Sequence, residues 1–530
     1  NPPATPATIK RLPGITLLPR DIGPLPIAER TAHGVHAHHT TPDTSDVTDV
    51  TDIAARMDDE PYEHSLGPAD LPLRIEPDGR DHVLLLDFRT AFTEGLTLDV
   101  DAPAGVIMDV GYGEMLMPDG RLRLRTDRYH FADRWITAEG RRTYGPALFE
   151  RGGRWVQLAL RNLTVPLTLH AATAHDRRHP LPRPTPPAEL SADHAAVFDA
   201  CVETLHACAV DTFIDCPRRE SALWVNDMMV QVPAWLAAGG DPALVRRSLD
   251  LAFGHRTPCG LVSGVVPGPE TDIFAFPATN AYLPVMVEQY HAASGDDVAV
   301  QRWLPRLREL RQRLERWRDD EGASAGLVRP PTNVWNFIDW SIDLVDGRPV
   351  AQAMSQVAWF DVLGLDAHAR LERKLGQADR AGRLADQAAT VAARVHRLCW
   401  DGTGYREAAP PAEPPFDTTR SKISAALAYL SGHVPAEDRQ RCLDALDDPQ
   451  GRTPELYLHH FLFEAWRQAE RTDRIDAAVV AHWQPIIDAG SPTIWETNVV
   501  RNAIDAQDTG CSLCHSFAVA PLVHWLNADR

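Results

Sequence analysis

The sequence predicts two unlike domains in one chain: an antiparallel β-sandwich followed by a domain built almost wholly of helices. Three observations carry this reading. Apolar residues alternate with period two over residues 82–170; a proline-rich stretch, DRRHPLPRPTPPAE, follows at 176–189; beyond it the apolar period changes to that of a helix and stays so. The 530 residues are also more than one core ordinarily serves, and roughly two to four domains is the usual number at such a length.

Taken in order, residues 1–60 are rich in Pro, Thr, Asp and His without clear periodicity, and read as an extended arm lying over the rest. Within them His33, His36, His38 and His39 read as a solvated loop rather than a metal site, because no ordered element and no Cys or acidic partner fixes them. Leu96, Leu98 and Val100 alternate with Thr97, Asp99 and Asp101, and Val106, Met108, Val110 and Tyr112 follow the turn-like DAPAG. These are half-buried antiparallel strands. Leu163, Val165, Leu167 and Leu169 alternate again, and Pro166 is expected to put this strand at a sheet edge or bulge. The prolines of 176–189 permit neither a helix interior nor a central strand, so the segment reads as a linker. The expected domains are 1–182 and 183–530.

Helical periodicity begins with Phe198, Cys201, Leu205 and Cys208 and recurs at 298–319, 350–372, 375–399, 453–470 and 511–527. Helices joined by Gly- and Pro-containing loops such as 254–280 and 322–336 fit an α/α toroid or a helical solenoid. No fixed repeat of solenoid length (~34–40 residues) is visible, which disfavours the solenoid.

Composition narrows the function. Seventy-three acidic against 53 basic residues, a formal charge of −20, give no electrostatic grip on a phosphate backbone, so nucleic acid is excluded as a partner. No apolar run approaches the ~18 residues of a membrane span. Eight scattered cysteines make no disulfide framework and favour a reducing, cytoplasmic compartment. The first residues, NPPATPATIK, lack the features of a signal peptide, but export stays open if a leader has been removed. Oligomeric state is not legible.

The chemistry concentrates in DCPRRESALWVND, Asp215 to Asp227. A helix starting near Pro217 would put Glu220, Trp224 and Asp227 on one face, at i, i+4 and i+7. A core-facing stripe is apolar at that spacing, so carboxylate, aromatic and carboxylate suggest the lining of a wet cleft. The bland alternative makes Asp215 a helix cap, Glu220 a first-turn acid and Trp224 a core aromatic. Two further segments weigh against it: SPTIWETNVV at 491–500 sets Trp495 beside Glu496 in a loop, and VWNFIDW at 334–340 sets Asp339 and Trp340 beside Trp335 and Asn336. Tryptophans beside carboxylates hold sugars, ring faces on aromatics and hydroxyls on acids. Two separated acids at such a cleft suit glycoside hydrolysis, one donating a proton to the leaving oxygen, the other attacking the sugar or activating water.

These residues resemble the α-L-rhamnosidases of glycoside hydrolase family 78. The match runs through Asp215, Cys216, Pro217, Arg219, Glu220, Trp224 and Asp227, then Ser294-Gly295-Asp296, Asp339-Trp340, Thr493-Ile494-Trp495-Glu496 and Ser512-Leu513 with His515. In the first domain PRDIGPLP at 19–26, LLLDF at 84–88 and APAGVIMDVGYGEML at 102–116 are similar to the β-sandwich preceding the barrel in that family. The resemblance implies an (α/α)6 barrel and an inverting exo-glycosidase releasing terminal α-L-rhamnose without metal or organic cofactor. Glu220 would be the general acid and Glu496 the general base. Asp215, Arg219, Trp224, Asp227, Asp339, Trp340, Trp495 and His515 would bind or shape the sugar site. Because an arginine touching the acid would oppose its protonation, Arg219 is expected to pair with another acid or the sugar.

Leu223 and Asn226 stand where the family has glycine, and Thr497 and Asn498 where it commonly has aromatic or charged residues. Alternatives therefore stay open: another deoxyhexoside, a rhamnosyl-uronate lyase, or a non-catalytic carbohydrate-binding protein. Cys511-Ser512-Leu513-Cys514-His515 also has the form of a c-type haem attachment site, but His515 reads better as a pocket residue. His459 and His460, adjacent on a helix, are left unassigned.

Overall fold

The computed structural model describes residues 22, 24–40, 49–59, 64–126, 129–145, 150–188, 190–319, 322, 324–498 and 510–527, and every count below is of these. Two antiparallel sheets fill the N-terminal part. The five-stranded sheet runs Ile27–Thr31, Leu167–Arg177, Gly95–Ala102, Gly140–Tyr144, with Leu73–Ile75 also on Leu167–Arg177. The six-stranded sheet runs Ala132–Ile136, Ile107–Gly113, Gly153–Arg161, Asp81–Phe92, Gly34–Thr40, His64–Ala69. They share one core, with Leu96, Leu98 and Val100 of one sheet meeting Leu84, Leu86, Met108, Val110 and Leu158 of the other. The opposite face of the six-stranded sheet is covered too: Ile53, Ala54 and Met57 of the helix Val50–Asp59 pack on Val83, Leu85 and Ala159. Burial on both faces explains the unbroken apolar run Val83–Leu86, which period two alone does not anticipate.

Three expectations change here. The arm over residues 1–60 is, where described, two sheet strands and a helix; residues 1–21 lie outside the described residues, and so does half of the PRDIGPLP resemblance. His36, His38 and His39 sit on the strand Gly34–Thr40 rather than in a loop. Pro166 precedes rather than enters its strand; Leu167–Arg177 pairs on both sides, so it is central and not an edge, but its register against Gly95–Ala102 shifts between Leu169 and Ala171, the bulge that was the other expectation.

The linker holds neither helix nor strand from 178 to 188. Beyond it six helices touch in succession: Met228–Ala237, Pro277–Ser294, Ser355–Lys374, Lys422–Ser431, His459–Gln468 and Ala520–Leu526, the last returning to the first. Each carries a partner outside this ring: Ala192–Ala207, Pro242–Gly254, Asp297–Glu315, Ala378–Cys399, Arg439–Asp444 and Thr472–His482. Sequence sorts the two kinds. Ala378–Cys399 buries only a stripe, Ala381, Leu384, Ala388, Val391, Ala392, Val395 and Cys399, as a helix with one wet side does. Pro277–Ser294 buries residues all round. Ends are set locally: Asp241 caps Pro242–Gly254 and Ser421 caps Lys422–Ser431, while Gly295 and Gly432 close their helices at φ 66° and 73°.

The domains are tied by side chains. Arg218 donates to the carbonyl of Tyr112 at 3.1 Å, to Thr126 Oγ1 at 3.3 Å and to the carbonyl of Arg123 at 3.2 Å, and its guanidinium lies 3.9 Å from the ring centre of Phe131. Gly152 abuts the Asp215–Asp227 segment so closely that a Cβ there would stand 2.0 Å from the carbonyl oxygen of Pro217.

Candidate active site

The segments just before four of the ring helices gather at one end of the ring and enclose a cavity of about 460 Å³. Residues 219–227 precede Met228–Ala237, 273–276 precede Pro277–Ser294, 335–348 precede Ser355–Lys374, and 496 with 510–517 precede Ala520–Leu526.

The Asp215–Asp227 stretch is not the expected helix. Residues 217–220 turn, Leu223–Trp224 pairs antiparallel with Val265–Val266, and the helix starts only at Met228. The turn is held by Asp215, which is fully buried; its Oδ1 accepts from the Ala222 amide at 2.9 Å and its Oδ2 from Cys216 Sγ at 2.8 Å. Ser221, at φ 48°, takes the left-handed conformation this requires. Glu220, Trp224 and Asp227 do reach one cavity, by the turn and the strand pairing instead of helical spacing.

Glu496 lies opposite. Its amide donates to the carbonyl of Ser512 at 2.9 Å, and its Oε2 accepts from the Ser512 amide at 2.7 Å. Arg219 joins the two acids: Nη2 lies 2.9 Å from Glu496 Oε2 and 3.8 Å from Glu220 Oε2, while Nη1 donates to the Gly510 carbonyl. The arginine thus pairs with another acid, as expected, but approaches Glu220 as well. Both Oε2 atoms share that nitrogen, so they are no further apart than the two lengths end to end.

Beneath them His515, Asp215 and Asp227 cluster. The His515 ring stands 3.9 Å from Asp215 Oδ2, 3.8 Å from Asp227 Oδ2 and 3.8 Å from Glu496 Oε1. Burial, then the charge of Glu220, pushes the Asp215 carboxyl up to about 8. Burial and then the neighbouring carboxylates, Asp215 first, hold Asp227 well above the usual range. Burial, then Arg219, holds His515 well below its ordinary value, so the ring is neutral. Cys511 and Cys514 are free and buried, and the haem-like string is a loop that serves the acid cluster.

The walls are aromatic. Trp224 stacks on Phe276, centroids 6.1 Å apart and planes at 11°, and meets Phe274 edge-on at 5.4 Å. Trp335, Phe337 and Trp340 form a second group, and the exposed Arg348 guanidinium lies 4.4 Å from the ring centre of Trp335. Among cavity-lining residues, Arg219 Nε, Trp224 Nε1, Asn226 Oδ1, Asp227 Oδ2, Trp340 Nε1, Asp343 Oδ2 and His515 Nδ1 are buried without a hydrogen-bond partner. Buried polar atoms are otherwise paired in proteins, so this concentration marks a surface suited to a ligand rich in hydroxyls.

Three of the sequence candidates lie behind the wall: Asp215, spent on holding its turn, and two others. Trp495 belongs to the apolar core. Asp339 caps the short helix Trp340–Asp343 through the Ser341 amide at 2.9 Å and accepts from the Glu455 amide at 2.9 Å. Glu455 in turn accepts from Thr497 Oγ1 at 2.7 Å and the Asn498 amide at 2.6 Å. Asp339 therefore steadies the loop carrying Glu496 from below, and Thr497 and Asn498, the departures noted beside Trp-Glu, serve the same loop. Leu223 is buried, and Asn226 donates to Asp227 Oδ1 at 2.9 Å. His459 packs on Trp483 at 5.2 Å and His460 is buried elsewhere; neither lines the cavity.

Sequence reasoning missed Tyr129, Asp343, Arg348, Phe274, Phe276 and Phe517 in the lining. The loops 254–280 and 322–348 supply most of these, and the aromatic IFAF at 273–276 was a usable signal. Tyr129, from the first domain, carried none. Among the described residues no group of three His, Cys, Asp or Glu side chains is placed to hold a metal ion.

A family model described as the bacterial alpha-L-rhamnosidase 6 hairpin glycosidase domain matches residues 191–529. The chain belongs to this α-L-rhamnosidase family. Solved structures agree in fold. The GH78 family rhamnosidase of Bacillus sp. GL1 superposes with a TM-score of 0.75 at 22% identity over 87% of this chain, which spans 47% of that protein. The rhamnosidase from Klebsiella oxytoca, solved with rhamnose bound, gives 0.72 at 16% identity over 94% of this chain and 95% of its own. The Streptomyces avermitilis alpha-L-rhamnosidase complexed with L-rhamnose gives 0.67 at 16% identity, over 94% of this chain and 44% of that one. This rhamnosidase-family chain thus spans about half of two of these proteins and nearly all of the third. No curated protein sequence matches it.

Proposed function

We propose that this chain is an inverting exo-glycosidase that hydrolyses terminal α-L-rhamnosyl residues from glycosides or oligosaccharides, on an (α/α)6 barrel formed by the ring of six helices and their outer partners. The observation that carries the reading is that Glu220 and Glu496 face one aromatic-walled cavity across a shared arginine nitrogen.

Glu220 donates its proton to the glycosidic oxygen as the bond from the anomeric carbon breaks. Glu496 takes a proton from water, whose oxygen bonds to the anomeric carbon from the opposite face. Arg219 gives the ionised base its counter-charge. Asp227, held neutral, and the neutral His515 line the cavity where the sugar hydroxyls lie, and Asp215, neutral behind them, adds no negative charge near the donor. Such paired acid and base catalysis contributes ~10²–10⁴-fold per group. The ceiling set by Arg219 on the carboxyl separation takes in both the lower end of the ~6.5–9.5 Å of inverting sites and the ~5–5.5 Å of retaining ones; inversion rests on the family pattern of Asp215–Asp227 and Thr493–Glu496.

The decisive experiment is proton NMR of the first-formed sugar from an aryl α-L-rhamnoside. Release of β-L-rhamnose is expected. Initial α-rhamnose would make Glu496 a nucleophile and the mechanism retaining; no sugar release would remove the hydrolase reading.

A further inference from the structure

Tyr129 belongs to the first domain, yet its hydroxyl donates to Glu220 Oε1 at 3.0 Å. It lies on the two-residue strand Tyr129–His130, paired with Arg125–Thr126. Its ring stacks on Phe131, centroids 6.2 Å apart and planes at 16°. Phe131 in turn carries the Arg218 guanidinium on its other contact, and Arg218 is two residues from Glu220 and bonded to three groups of the first domain. The phenol and the carboxyl are therefore fixed to the same frame, one through each domain.

Building on the proton-donor assignment of Glu220, we infer that Tyr129 is a positioning residue that selects which oxygen of Glu220 delivers the proton. A carboxylic acid can carry its proton on either oxygen, and only one of them faces the leaving group. A hydroxyl donating to Oε1 occupies that oxygen as an acceptor, so the transferable proton resides on Oε2, the oxygen on the Arg219 side. As the proton passes to the glycosidic oxygen, negative charge spreads over both carboxyl oxygens. The Tyr129 bond then becomes charge-assisted, about twice as strong as a neutral one. It strengthens only as the transition state is reached, which is the condition for raising kcat without tightening substrate binding.

Tyr129→Phe removes one atom and leaves the stack on Phe131. On methyl or phenyl α-L-rhamnoside, which need protonation of a poor leaving group, kcat is expected to fall about tenfold, the worth of one hydrogen bond to a charged group. KM should stay within about twofold, as for an interaction made only in the transition state. On 2,4-dinitrophenyl α-L-rhamnoside, whose leaving group needs no proton, kcat should match the wild type. In a Glu220→Gln background the Tyr129→Phe change should add nothing, because its partner no longer transfers a proton. Equal loss on every leaving group, no loss on any, or an additive effect in the double variant overturns the inference. Glu220→Gln alone serves as the separate check: if it cleaves methyl rhamnoside like the wild type, the proton-donor assignment itself fails.

Discussion

Arg219 offers one nitrogen to two carboxyl groups whose proposed tasks differ, and the distances divide its attention. At 2.9 Å it is bonded to Glu496; at 3.8 Å it only borders Glu220. Glu496→Gln is expected to lower kcat by ~10²–10⁴-fold on any rhamnoside, measured by release of an aryl chromophore, whereas Glu220→Gln should lose as much only on substrates with poor leaving groups. Asp215 gives a prediction about stability. Its folded pKa, about 8, lies above the ordinary carboxyl value of 3.8, so between these limits the folded chain keeps a proton that the unfolded chain releases. Stability therefore falls as pH rises through that window. Asp215→Asn, neutral at every pH and still able to accept from the Ala222 amide, should flatten the fall: thermal midpoints from pH 4 to 8 should converge on or pass the wild type at the alkaline end. A variant that loses the same stability at every pH would show that the carboxyl serves only as a hydrogen-bond acceptor.

At the scale of elements, the loops before the ring helices do the work, and they were the least legible part. The strand alternation at Leu96–Val100 and the stripe of Ala378–Cys399 were readable because one residue period maps onto one buried face. Residues 215–227 misled, since their spacing imitates a helix while the path is set by contacts far away in sequence: Asp215 holding Ala222, and Leu223–Trp224 pairing with Val265–Val266. Their chemistry was legible all the same, because the types Glu, Trp and Asp, with the family pattern, do not depend on the backbone path. Glu114 shows the same limit. Its carboxylate accepts from Ser512 Oγ at 3.0 Å and the Leu513 amide at 3.1 Å and stands 3.6 Å from Arg218. The bend that follows the strand Ile107–Gly113 thereby pins the loop that hydrogen-bonds Glu496, and nothing local to GYGEML announces it. Glu114→Ala leaves Arg218 buried without its acid, a change that costs about 3–5 kcal/mol where a buried pair is broken. A clear drop in denaturation midpoint, with reduced kcat, is expected; a stable variant with normal kcat would show that the clamp is idle.

For the whole molecule, the site belongs to neither domain alone. Glu114, Tyr129, Phe131 and Gly152 from the sheets meet Pro217, Arg218, Glu220 and Ser512 from the helical part. Residues 183–530 produced alone should therefore be poorly soluble and at least ~10²-fold less active than the full chain on an unactivated rhamnoside, the loss expected when proton donation is impaired. A soluble fragment of full activity would make the first domain a mere companion. The ring adds a matter of timing. Its closing helix, Ala520–Leu526, is the one that returns to Met228–Ala237, and Glu496 lies only just before it. A ribosome making this chain finishes the sheets, Tyr129 and Glu220 long before Glu496 exists. On the roles proposed for Glu220 and Glu496, the emerging chain holds only half of its acid pair; the other half is set when Ala520–Leu526 seats against Met228–Ala237 and the circle shuts.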